Sequence, residues 1–323
     1  MNKKTSIKDF IKLYTVQIIE VIFIVYIILT LFLEIQILVK QKTKEVLLVP
    51  KFEKIWELKF SEILPFSPNP QGLAVDKEGI IFIADPENKK VFSIDSNDYS
   101  KINLSQGDFS NQFSFTSPWG ITSSDSEEDS LIWILDSGNG WVYRIFSPDQ
   151  FDEDVDTAQY QVYNPKGLAI DRFGDFYIAD TGNSRILKID KNGKLVSEWG
   201  QYGERKNELK EPKGIIIIDD LLYILDSLNG RLVQYDLNGN LVGSWNIYTE
   251  SNWIAKDPDN RIYVISSNSN MIQVFDKQGQ LISNFTSTSI MADLEQVSLI
   301  SFTSDGRMVI CTNNQILMFN LSW

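Results

Sequence analysis

Histidine is absent from the 323 residues. Its absence removes Ser/His/Asp triads, Cys/His dyads, HExxH zinc sites and imidazole acid–base catalysis together. Cysteine occurs once, as Cys311, so no intramolecular disulfide can form and the fold does not depend on an oxidising compartment. Positive charge is scarce: 30 Lys and Arg face 43 Asp and Glu, for a net −13. The imbalance is uneven. Residues 1–44 carry seven lysines against Asp9, Glu20 and Glu34, a net +4, which leaves −17 on the rest. That sign, with no run of Lys or Arg, disfavours a nucleic-acid partner, because phosphate binding draws on a basic surface that releases counterions.

Long apolar runs are confined to one place. Ile18–Val39 reads IIEVIFIVYIILTLFLEIQILV. Twenty-two helical residues rise about 33 Å, against roughly 30 Å of membrane hydrocarbon. Glu20 and Glu34 fall near its two ends, and no small-x-small cleavage site follows. The expectation is a retained, single-pass transmembrane helix over 18–39, after a basic tail at 1–17 and before a linker at 40–54. Lysines flank both ends, so the charge bias on orientation is slight. A signal-anchor places the N-terminus in the cytoplasm and the remainder outside.

Residues 55–323 repeat. Pro70–Asp85 is PQGLAVDKEGIIFIAD, Pro165–Asp180 is PKGLAIDRFGDFYIAD and Pro212–Asp226 is PKGIIIIDDLLYILD. Pro118–Asp136 follows the same plan around an acidic insert, and Trp253–Ser266 and Leu299–Thr312 are degenerate copies. Each copy opens four short strands separated by turn clusters, as in Gly167–Asp171, Phe176–Ala179, Arg185–Asp190 and Leu195–Trp199. Six four-stranded units at 39–48-residue spacing predict an all-β, six-bladed propeller. Small residues such as Gly72, Ala74, Gly167 and Ala169 suit strands that converge on the axis, and Trp199 and Trp245 suit outer layers between blades. The sixth unit lacks a fourth strand, so Ile55–Phe60 is expected to pair with Gln315–Leu321 and close the ring.

The pattern PxGhAhD, YhADxxNxRI, FDxxGxxh resembles the NHL-repeat family. Pro165–Trp199 carries it most fully, with Asp180, Asn183, Arg185, Ile186 and Gly193 in place. Units five and six depart from it, with Ser266 and Thr312 where the aspartate is expected. The resemblance implies an interaction platform for proteins or a small ligand. The histidine-dependent lyases among related propellers do not fit this chain. Propellers similar to gluconolactonase hold a metal with carboxylates and amides, so a metal-dependent hydrolase stays an alternative, as does a structural or sensory subunit of a membrane complex.

The recurring polar residues are the candidate binding face: Asp85, Asp136, Asp180 and Asp226 close the second strands, Asn88, Asn139, Asn183 and Asn229 follow three residues later, and Arg185 and Arg231 come next. Such a ring could bind a cation. The plainer reading is that Asp and Asn fold the turn onto its own backbone amides. A second cluster is acidic. Asp125, Glu127, Glu128 and Asp129 lie in the insert of the second unit, and Asp149, Asp152, Glu153, Asp154 and Asp156 lie before Gln159–Tyr163, its expected outer strand. Asp152-x-Asp154-x-Asp156 begins like a calcium loop, but Thr157 and Tyr163 stand where that motif needs Gly and Glu. A solvated acidic surface on the membrane-facing side is the default, Ca²⁺ the sharper option, and no cofactor is expected. No catalytic residue is assigned.

Overall fold

The computed structural model describes residues 48–96, 115–123, 131–147 and 150–323, with the backbone alone at 146–147 and 150–154. The expected transmembrane segment 18–39 lies outside them. Among the described residues no helix is long and apolar enough to cross a membrane.

The strands form six antiparallel sheets. Blade 1 holds β2 (Gly72–Val75), β3 (Ile80–Asp85) and β4 (Lys90–Asp95). Blade 2 holds β5 (Pro118–Ser123), β6 (Ile132–Asp136), β7 (Trp141–Ser147) and β8 (Gln150–Asp156). Blade 3 holds β9 (Gly167–Ile170), β10 (Phe176–Asp180), β11 (Arg185–Ile189) and β12 (Leu195–Trp199). Blade 4 holds β13 (Pro212–Ile218), β14 (Leu221–Asp226), β15 (Arg231–Asp236) and β16 (Leu241–Asn246). Blade 5 holds β17 (Trp253–Lys256), β18 (Ile262–Ser266), β19 (Met271–Phe275) and β20 (Leu281–Phe285). Blade 6 holds β21 (Leu299–Phe302), β22 (Met308–Cys311), β23 (Gln315–Ser322) and the chain's first described strand, β1 (Lys51–Lys59).

The ring closes through β1 and β23, paired from Lys51↔Ser322 to Lys59↔Gln315 with one register shift between Lys54 and Trp56. The strand starts four residues before the expected Ile55 and stops at Lys59, because Phe60 turns into a short helix, α1 (Phe60–Ile63). Phe60 is buried there, edge-on to Phe92 at 6.1 Å between ring centroids.

The reason for small residues at the axis is visible at two positions. A Cβ on Gly72 would collide with the Trp119 carbonyl, and one on Gly167 with the Lys213 carbonyl. Neighbouring inner strands touch backbone to backbone at that end, where only glycine fits. Farther out the core fills the gaps between blades. Trp199 of blade 3 lies 5.9 Å from Tyr235 of blade 4, and Trp245 stacks on Tyr223 at 5.9 Å and 14°. Both tryptophans thus sit in the outer layer that their recurrence suggested.

One strand differs from expectation. The outer strand of blade 2 is β8, Gln150–Asp156, and not Gln159–Tyr163. An edge strand tolerates charge on its solvent side and needs only a few inward apolar residues; Val155 supplies one and is buried. The later segment cannot extend, because Ala158–Tyr160 forms a 3-10 turn and Gln161 and Asn164 adopt left-handed backbone at φ 55° and 49°.

Candidate functional site

Alternation of strand direction gives the propeller two faces. The upper face carries the turns between second and third strands and the connections between blades. The lower face carries the other two sets of turns.

The four recurring aspartates end their strands under the upper face, and all are fully buried. Asp180 accepts the Tyr163 amide at 2.7 Å on one oxygen. Its other oxygen takes Asn183 Nδ2 at 2.8 Å and Arg185 Nε at 2.8 Å. Asp226 repeats the arrangement with the Lys210 amide at 2.6 Å, Asn229 Nδ2 at 2.7 Å and Arg231 Nε at 2.6 Å. Asp136 accepts the amides of Thr116, Ser117 and Gly138 at 2.6, 2.7 and 2.9 Å. Asp85 takes the amide and side chain of Asn88 at 3.1 and 2.7 Å. Asn139 breaks the series: its Nδ2 donates to the Tyr143 hydroxyl at 2.8 Å.

These bonds are not confined to the turn. Each carboxylate in blades 2 to 4 also grips the connection arriving from the preceding blade, 16 to 20 residues earlier in sequence. Arg185 Nη2 donates to the Tyr160 carbonyl at 2.7 Å, and Arg231 Nη2 to those of Glu208 and Arg205 at 2.6 and 2.9 Å. The Asp–Asn–Arg set is therefore a clasp between a turn and an interblade connection. Hydrogen bonds to a charged group contribute roughly 1.5–3 kcal/mol each, more than neutral ones.

The clasps hold side chains that do reach solvent. Tyr163, Tyr202, Leu228 and Tyr248 are 68%, 70%, 38% and 39% exposed, all on upper-face connections or turns of blades 3 to 5. Tyr163 follows directly from its amide bond to Asp180. Tyr202 rides on a connection folded against itself, with the Leu209 amide on the Gln201 carbonyl at 2.8 Å and Leu209 buried. The Tyr248 amide donates to Gln273 Oε1 at 2.9 Å. Repeat alignment hid these tyrosines, because they fall in the connections where the copies do not match.

The inner strands of all six blades surround an axial cavity of about 560 Å³. Ile121, Leu168, Ile215 and Ile254 are among its walls. Lys166 lines it toward the upper face, and Lys77, Ser123, Lys256 and Ser304 toward the lower. Lys166 Nζ sits 4.2 Å from the Trp119 ring centroid. Burial holds its ammonium below the usual amine range; Lys213 pushes it further down and Glu211 opposes. Two acids at the lower end, Asp76 and Asp257, are spent on their own turns: Asp76 accepts the amides of Glu78 and Ile80, and Asp257 the amide and guanidinium of Arg261.

Of the acidic cluster, Asp125, Glu127, Glu128 and Asp129 lie outside the described residues, and Asp152 and Asp154 are placed by backbone only, on β8 rather than in a loop. Asp156 caps the next turn through the Ala158 amide at 2.9 Å. Among the described residues no three Cys, Asp or Glu side chains converge closely enough to hold a metal ion. Cys311 is fully buried and its thiol is pushed up by that burial, which leaves it unreactive.

Comparison with known proteins fits this architecture. The NHL repeat matches residues 162–189, the unit read as the fullest copy. A 58-residue stretch is 33% identical to Protein brain tumor of Drosophila melanogaster, covering 18% of this chain and only 6% of that protein. Among solved structures, a streptogramin B lyase superposes with a TM-score of 0.60 at 16% identity, over 83% of this chain and 98% of that one. Virginiamycin B lyase from Staphylococcus aureus gives 0.54 at 18% identity, over 84% and 88%. The WD40 propeller domain of Doa1 gives 0.52 at 11% identity, over 78% of each chain. At these identities the likeness is one of fold.

Proposed function

We propose that this NHL-repeat propeller is a non-catalytic binding module, held at a membrane by residues 18–39, that docks a protein partner on the upper face of blades 3 to 5. The observation that carries the reading is the set of exposed tyrosines, Tyr163, Tyr202 and Tyr248, on connections fixed from beneath. Tyrosine offers a large contact surface with few rotatable bonds, and a hydroxyl that stays wet or finds a partner. Holding such side chains in place before binding lowers the entropy cost of association. The recurring Asp, Asn and Arg residues then serve the face by positioning it rather than by touching the partner. The lysine-rich tail before the apolar segment supports a cytoplasmic N-terminus and an extracytoplasmic propeller.

The test is photocrosslinking in native membranes from two positions of similar exposure on opposite faces. A crosslinker replacing Tyr202 is expected to give a discrete protein adduct that Tyr163→Ala weakens. One replacing Phe173, exposed on the lower face, is expected to give none. Equal labelling from both positions, or adducts only from position 173, would overturn the reading.

A further inference from the structure

The cavity at the axis is a separate matter from the docking face, and its chemistry is not that of a filled core. Its volume of about 560 Å³ falls within the roughly 300–1,000 Å³ of small-molecule sites. Most of its wall is aliphatic, and one cation stands at its upper end.

That cation is Lys166. Its neighbours are a second lysine and an aromatic ring. The ring is Trp119, with its centroid 4.2 Å from Nζ. The second lysine is Lys213, one blade on at the equivalent position. Glu211, the carboxylate that acts on Lys166, bonds to Lys213 at 3.3 Å instead. Among the described residues Lys166 makes no ion pair. A half-buried ammonium without a counter-charge costs free energy, and burial accordingly lowers its proton affinity. This is the reverse of a structural salt bridge. The clasps of blades 3 and 4 show how the same fold satisfies a buried charge when nothing else must bind there.

We propose that the axial cavity binds a small organic monoanion, its carboxylate on Lys166 and its apolar body against Ile121, Leu168 and Ile254. The single unpaired cation sets the charge, since Lys213 is already committed to Glu211. The aliphatic walls select against inorganic phosphate or sulfate, which would gain nothing from them. Trp119 adds a π face beside the ammonium. Anion binding restores the proton affinity that burial removes, so affinity falls as pH rises toward the ordinary lysine value of 10.5, and begins to fall below it.

The experiment uses the full chain in lipid nanodiscs with para-trifluoromethylbenzoate as probe, read by fluorine NMR line broadening. Empty nanodiscs measure partition into lipid, and para-trifluoromethylbenzyl alcohol is the neutral control. Saturable broadening by the protein, absent for the alcohol, is the expected result. Lys166→Met should weaken binding by about tenfold or more, the worth of one charge-assisted hydrogen bond. Lys166→Arg should keep most of it. Thr122→Trp, which fills the cavity from another inner strand, should abolish it with the lysine intact. Melting curves establish that each variant is folded. Equal binding by Lys166→Met and the wild-type chain, equal binding of the alcohol, or full displacement by millimolar phosphate would overturn the proposal.

Discussion

Blades 3 and 4 and blades 5 and 6 share a backbone plan but not the means of holding it. In blades 3 and 4 a buried aspartate, an asparagine and an arginine tie the turn to the incoming connection. In blade 5 Ser266 takes the aspartate's place, and its buried hydroxyl has no hydrogen-bond partner among the described residues. The acceptor comes from the other side instead, as Asn252 Oδ1 takes the Ser267 amide at 2.9 Å. In blade 6 Thr312 accepts the amides of Asn314 and Gln315, both at 3.2 Å, and reaches no connection. Apolar contact fills the deficit. Tyr263 of blade 5 packs on Phe302 of blade 6 at 4.7 Å, and Phe52 of β1 lies 5.2 Å from Phe285 and 6.3 Å from Phe319. The lesson is that a clasp matters where a face must be held for display, while the closing junction rests on strand pairing and aromatic burial.

The largest effect should come from removing that junction. Deleting residues 48–59 strips β1 from blade 6 and uncovers the edge of β23 along its length. We expect loss of cooperative unfolding and aggregation, followed by circular dichroism and light scattering. A melting temperature equal to the full chain's would show that the aromatic cluster alone closes the ring, and would break the comparison.

A paired substitution sharpens it. Asp226→Ala leaves the Arg231 guanidinium without its carboxylate and the Lys210 amide without an acceptor. Removing one partner of a buried pair costs about 3–5 kcal/mol. Ser266→Ala at the equivalent place in blade 5 deletes a group with no partner, and should stay within about 0.5 kcal/mol of wild type. Urea denaturation of the two variants measures both. Equal losses would mean that the clasp is no more than a local turn.

The smallest effect is expected inside blade 4 itself. The Tyr235 hydroxyl is buried without a hydrogen-bond partner among the described residues, and burial raises it to about 12. Tyr235→Phe keeps the ring against Trp199 and removes the unsatisfied group, so stability should hold or rise by up to about 1 kcal/mol. A loss above that in the same denaturation series would reveal a polar role for the hydroxyl.

Much of the architecture was legible before any coordinates. The PxG and aspartate spacings located the inner two strands of every blade, including the degenerate fifth and sixth. IWELKF, short of a blade of its own, pointed to its partner at the other end of the chain. The miss at β8 has a plain cause. An outer strand meets solvent on its free edge, so FDEDVD needs little apolar content and reads as a charged loop. The site was legible only as residue types. Asp180, Asn183 and Arg185 stood out by recurrence, but recurrence did not say that they reach back to Tyr160 and Tyr163.

Sequence alone determined the number of blades, the small residues at the axis and the exclusion of imidazole chemistry. These follow from local spacing and composition, which each repeat states for itself. Tertiary structure decided which polar groups are spent and which are left over. Asp226 and Lys166 are both charged residues at repeat positions, and nothing in their neighbourhoods along the chain separates them. One is enclosed by donors from two segments, while the other faces a cavity assembled from six strands with its neighbouring carboxylate already taken. Whether a charge has a partner depends on residues brought together across blades, and that is a property of closure rather than of any repeat.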